Sequence, residues 1–70
     1  MLMVGAGSMA RPLIDAHRTV RPTLDRVLVW NRSSGRADDL VQSLADDGIS
    51  AEVVSDLDEA VSRADLICSA

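Results

Sequence analysis

Between an apolar opening stretch and the first helical stripe of the sequence lies Gly5-Ala6-Gly7-Ser8-Met9-Ala10. Gly5 and Gly7 remove the side chains that would keep a ligand away from backbone N–H groups, and the small Ala10 lets a helix start close against its strand. A turn of this kind suits a pyrophosphate held at a helix N-terminus. Short glycine patterns also recur in ordinary strand-to-helix turns, so the surroundings must supply the rest. They must provide a strand before, a helix after, and a second strand about 20 residues further on, ending at a group able to read a ribose.

The sequence meets these conditions in order. Residues 1–4 form a short apolar run without alternation, as expected of a parallel strand buried on both faces. Met9, Leu13, Ala16 and Val20 then fall on one helical stripe that runs from the glycine turn to about Val20. Pro12 lies inside that stretch, where it is expected to delete a backbone bond, crowd the Ser8 carbonyl and make the first turn irregular. Arg21-Pro22 ends the helix, a short loop occupies 23–25, and Val27-Leu28-Val29-Trp30 reads as a second strand.

Beyond the polar tip Asn31-Arg32-Ser33-Ser34, where Ser33 or Ser34 can cap, a second helix carries the stripe Ala37, Leu40, Val41, Leu44 and Ala45. Gly48 is its C-terminal stop, and Asp46 and Asp47 face the unfavourable end of its dipole. A third strand is expected at 51–54. A short helix capped by Ser55 or Asp56 follows, with Leu57, Ala60, Val61 and Ala64 inward, then a fourth strand at 66–68. The order β-α-β-α-β-α-β predicts a Rossmann-type α/β fold, a parallel sheet with right-handed crossovers, here in truncated form.

Seventy residues accommodate one small domain or part of one, burying only about 60% of the unfolded surface. The seven cations are all arginine against eleven acids, a net charge of −4, which argues against nucleic-acid binding. Trp30, the one aromatic residue, offers no stacking platform for single strands. The lone Cys68 builds no disulfide framework or metal site, and no targeting or membrane segment is visible, so a cytoplasmic protein without a membrane partner is expected.

The second strand's tip bears on the cofactor. A carboxylate there would accept hydrogen bonds from the ribose hydroxyls of NAD and repel a 2′-phosphate, whereas this sequence has Asn31, followed by Arg32, Ser33, Ser34 and Arg36. Donors and cations at a helix N-terminus suit a phosphate dianion, which favours NADP(H), with NAD(H) as the alternative. The expected cofactor-binding residues are Gly5, Ala6, Gly7, Ser8, Met9, Asn31, Arg32, Ser33 and Arg36. Ser69 joins them because it lies just beyond the fourth strand's carboxyl end, where open α/β sheets bind ligands.

Three stretches, Val4-Gly5-Ala6-Gly7-Ser8-Met9-Ala10, Val27-Leu28-Val29-Trp30-Asn31-Arg32-Ser33 and Asp58-Glu59-Ala60-Val61-Ser62-Arg63-Ala64-Asp65-Leu66-Ile67, together resemble the ornithine cyclodeaminase/μ-crystallin family. The resemblance covers essentially the whole chain. It implies a nicotinamide-cofactor enzyme acting on amino or cyclic imino acids, such as a cyclodeaminase, an alanine dehydrogenase, or a ketimine or pyrroline-2-carboxylate reductase. The Trp30-Asn31-Arg32-Ser33 tip resembles the NADPH-using, imine-reducing branch.

The resemblance further implies a homodimer whose substrate and dimerisation domain is built from segments outside residues 1–70, with a catalytic lysine and carboxylate there. This sequence has no lysine, so residues 1–70 are expected to be a partial NAD(P)-binding domain holding no catalytic residue. Two alternatives stand beside this reading: a pyrroline-5-carboxylate reductase-like NADPH-binding segment, and a non-enzymatic NADPH-binding module. His17 reads as a boundary residue or a partner of the helix's C-terminal dipole, Cys68 as a small core residue in a buried strand, and Asp15, Asp38, Asp39 and Asp46 as solvated helix faces without metal-ligand spacing.

Overall fold

A computed structural model describes residues 1–22, 24 and 26–69, with Ser34 described by its backbone alone. Seven elements alternate along the chain: β1 (Leu2–Val4), α1 (Ala10–Val20), β2 (Arg26–Trp30), α2 (Ser34–Asp46), β3 (Ser50–Val53), α3 (Leu57–Arg63) and β4 (Ile67–Ser69). The strands form one parallel sheet in the order β3-β2-β1-β4. The chain therefore builds outward from β1 through β2 to β3, then returns to place β4 on the other side of β1. The reversal between β1 and β4 is the switch point at which a Rossmann-type sheet opens a crevice beyond its carboxyl ends.

Successive side chains along β1 and β2 point to opposite faces, and both faces are covered. Met3, Val27 and Val29 pack with Ala10 and Ile14 of α1 and with Ala37, Leu40 and Leu44 of α2. Leu2 and Leu28 point the other way, against Ala60 of α3, with Val4, Trp30, Val54, Leu57 and Ala64 around them. Continuous apolar runs in the central strands are thus required by a helix layer on each side.

Five local expectations change. The α1 stripe expected at Met9, Leu13, Ala16 and Val20 is displaced: Met9, Ala16 and Val20 are exposed, Leu13 is half-buried, and Ala10 and Ile14 are the residues buried against the sheet. Helix α1 begins at Ala10, and its first α-type bond runs from Leu13 N–H to Met9 O at 3.1 Å. Pro12 therefore occupies one of the first positions, whose N–H has no intrahelical acceptor, and deletes no bond. Ala45 and Val61 are exposed, because each lies at the margin of its stripe where the sheet does not reach. Cys68 is half-buried, because β4 is an edge strand. Asp15 is engaged as well as solvated: Arg11 Nε lies 3.0 Å from its Oδ1, while the guanidinium also reaches Ser43 Oγ at 2.7 Å and the Asp47 carboxylate, tying α1 to α2.

The helix ends follow local chemistry. Helix α2 closes with Ile49 N–H on Leu44 O at 2.9 Å and Gly48 N–H on Ala45 O at 2.9 Å, with Gly48 at φ 77°. This is a Schellman closure, and Leu44 and Ile49 provide its apolar contact. Asp56 caps α3 by accepting from Glu59 N–H at 3.1 Å. Ser33 stands at the N-cap of α2, but its hydroxyl makes no capping bond, and the Ser34 side chain lies outside the described residues. Of the loop expected at 23–25, only the buried Leu24 is described. Among the described residues no helix is long and apolar enough to cross a membrane, and no group of metal-ligating side chains forms.

Candidate cofactor site

Strand β1 delivers the chain into Gly5, whose φ of 105° is accessible mainly to glycine. Its N–H donates to Trp30 O at 2.7 Å, which carries the β1–β2 pairing one step into the loop. The next amide, Ala6 N–H, donates to Asn31 Oδ1 at 3.2 Å. The Gly7 carbonyl then accepts from Ala10 N–H at 3.1 Å, a tight turn that starts α1. Among the described residues no acceptor serves the N–H groups of Gly7, Ser8 and Met9, which stay open at the helix N-terminus.

Gly7 is exposed, and a Cβ built there would meet nothing within 4 Å. Its glycine identity is therefore not demanded by the protein's own packing; a side chain would fill the space through which a ligand reaches the amides. The fully buried Ala10 has the opposite constraint, because it packs with Met3 and Val29 and a larger residue would push α1 off the sheet.

Ala6, Gly7 and Ser8 form one wall of an open cleft of about 470 Å³, and Arg36, Asp39 and Leu40 of α2 form the other. Neither α1 nor α2 has an acidic residue in its first turn. Helix α3, on the other face of the sheet, has Asp56 at its cap and Asp58 and Glu59 in its first turn. The two positive helix ends beside the cleft are thus left for an anion, and the third is neutralised by its own side chains.

The expected residues are only partly brought together. Ala6, Gly7, Ser8 and Arg36 share the cleft, and Asn31 touches its floor through Ala6. Arg32 and Ser33 are exposed on the adjoining β2–α2 connection outside the lining, and Met9, 59% exposed, lies on the outer side of the turn. Ser69 is the last residue of β4, not a residue beyond it; it pairs with Val4, which pairs with Trp30 on its other side. It marks the same sheet edge from across β1.

Sequence reasoning missed Asp39 and Leu40 in the cleft, although both lie one helical turn beyond Arg36. It also missed the approach of His17 Nε2 to Cys68 Sγ at 3.2 Å, a pairing of residues 51 positions apart that no local pattern encodes. Near the cleft, the Asp47 hydrogen bond raises the Arg11 guanidinium above its ordinary value; burial opposes this, and Asp15 adds to it. Arg11 therefore remains charged at ordinary pH and is already engaged with protein carboxylates.

Open amides at a helix start, a glycine whose missing side chain leaves room, a cation across the cleft and a switch point beside it together fit a dinucleotide. The sequence matches the shikimate/quinate 5-dehydrogenase family over residues 1–70. The chain belongs to that family. Within it, the chain is a segment with a Rossmann-type sheet of the kind that holds a nicotinamide cofactor.

It is 46% identical over its whole length to a Δ1-pyrroline-2-carboxylate reductase of Paracoccus denitrificans (strain Pd 1222), of which it covers 22%. It is also 36% identical over its whole length to Protein SAR DEFICIENT 4 of Arabidopsis thaliana, of which it covers 23%. The chain thus spans about a fifth of the length of these curated relatives. No solved structure matches it. Neither the family match nor these two relatives bears the ornithine cyclodeaminase/μ-crystallin name, but the reductase relative bears the name of one activity that the resemblance implied.

Proposed function

We propose that residues 1–70 are the NADP(H)-binding part of a reductase of the ornithine cyclodeaminase/μ-crystallin kind, acting on a cyclic imino acid of the pyrroline-2-carboxylate type. The observation that carries this reading is the pairing of the glycine turn with Arg36 across one cleft, beside a β2 tip that ends in Asn31 and not in a carboxylate. The 46% identity to a Δ1-pyrroline-2-carboxylate reductase supports the substrate class. When bound, the reduced nicotinamide supplies hydride to the imine carbon.

The residues of this chain bind and orient. The open amides of Gly7, Ser8 and Met9 hold the pyrophosphate. Arg36, with Arg32 and Ser33 on the adjoining connection, neutralises the 2′-phosphate. The β1–β4 switch point, flanked by Ser69, directs the nicotinamide half across the sheet edge. In this reading the substrate and dimerisation domain lies in other segments of a cytoplasmic homodimer.

The test is turnover by the whole protein with Δ1-pyrroline-2-carboxylate, following oxidation of NADPH and NADH. NADPH is expected to be oxidised with the higher kcat/KM. Equal or better use of NADH would overturn the cofactor assignment. NADPH bound but left unoxidised by every cyclic imine would overturn the reductase reading in favour of a binding module.

A further inference from the structure

The Asn31 side chain makes two hydrogen bonds of opposite sense. Its Oδ1 accepts from Ala6 N–H at 3.2 Å, and its Nδ2 donates to Ser33 O at 2.9 Å. The first partner lies in the loop that opens α1. The second is the carbonyl that also accepts from Ala37 N–H at 3.3 Å at the start of α2. One half-buried side chain therefore spans the connections that lead into both helices whose N-termini flank the cleft.

We infer that Asn31 is a positioning residue that holds the phosphate-binding turn and the β2–α2 connection in register, acting on the cofactor through Ala6 and Ser33. The chemistry suits an amide. Ala6 offers a donor and Ser33 an acceptor, and an amide meets the pair with two separate atoms, its oxygen accepting and its N–H₂ group donating. An aspartate would keep the bond to Ala6 and face the Ser33 carbonyl with a second oxygen. An alanine would lose both. The inference rests on the proposal that this cleft holds a nicotinamide dinucleotide. It differs from a direct reading of the ribose because it assigns Asn31 an effect on the pyrophosphate end too.

The experiment uses the whole protein, equilibrium binding of NADPH and NADH, and amide hydrogen exchange without nucleotide. In the wild type, Ala6 N–H is expected to exchange more slowly than the amides of Gly7, Ser8 and Met9. Asn31→Ala is expected to bring Ala6 to the rate of its neighbours and to weaken NADPH and NADH by the same factor, about fivefold for each hydrogen bond lost and so about thirtyfold for the two. Asn31→Asp, which keeps the acceptor for Ala6 but not the donor for Ser33, is expected to restore the slow exchange of Ala6 and part of the NADH affinity while NADPH stays weak.

Loss of NADPH affinity alone in Asn31→Ala would mean direct contact with the 2′-phosphate and overturn the inference. Unchanged affinity for both cofactors would overturn it too. Fast exchange of Ala6 in the wild type would overturn it whether or not the variants fold. If the wild type bound neither cofactor, the functional proposal would fail, while Ala6 exchange would still decide whether the bridge exists.

Discussion

Gly7 shows how a single residue can be set by a ligand more than by its own fold. Its surroundings leave a Cβ in open space, and its φ lies outside the left-handed region, so Gly7→Val is expected to change stability by less than about 0.5 kcal/mol while weakening both nicotinamide cofactors at least tenfold. Thermal melting and equilibrium binding of the same variant check this, and intact binding would mean that nothing approaches the loop there. Although only Gly5, at φ 105°, is required by the backbone of the turn, both glycines were legible in the sequence because the pattern that holds them is local. The partners of Asn31 were not. Its position after β2 suggested a group facing the ribose, whereas its bond to Ala6 joins residues 25 positions apart and follows from the parallel pairing of β1 with β2. The His17–Cys68 approach was hidden for the same reason, since β4 must return beside β1 before the two side chains meet.

Among the elements, α2 carries the most information, because it covers one face of the sheet and supplies the cleft's cation. Its stripe of Ala37, Leu40 and Leu44 was legible from periodicity, whereas the exposure of Ala45 depends on how far the sheet extends. Leu44 is fully buried and also supplies the carbonyl that closes the helix. Leu44→Ala is expected to cost roughly 2–5 kcal/mol, measured by denaturant unfolding. Gly48→Ala leaves every apolar contact in place but forces a side chain into φ 77°, at a cost of about 1–2 kcal/mol. A Gly48→Ala cost as large as that of Leu44→Ala would show that the closure, and not the buried stripe, dominates α2. Pro12 was misjudged because the exact start of α1 is set by the Gly7–Ala10 turn, and two residues decide whether a proline N–H would have had an acceptor.

Across the whole molecule, the alternation of strand and helix made a parallel sheet legible, but the order β3-β2-β1-β4 needed the structure. That order leaves two edge strands. Val53 on β3 is 38% exposed and Ile67 on β4 is 47% exposed, so apolar surface and unpaired backbone coincide at both sides of the sheet. In the proposed reading these 70 residues are part of a larger unit, and expressed alone they are expected to unfold broadly with little cooperativity in calorimetry; a sharp two-state transition of a monomer would contradict that.

The central claim is that a 2′-phosphate is read on the α2 side of the cleft and the pyrophosphate on the α1 side. The direct measurement is the Kd of the whole protein for NADPH and for NADH, in the wild type and in Arg36→Ala. The account expects NADPH to bind more tightly in the wild type, and Arg36→Ala to weaken NADPH about tenfold or more while leaving NADH unchanged, as for loss of a charge-assisted contact. NADH binding as tightly as NADPH in the wild type, or equal losses for both cofactors in Arg36→Ala, would contradict it.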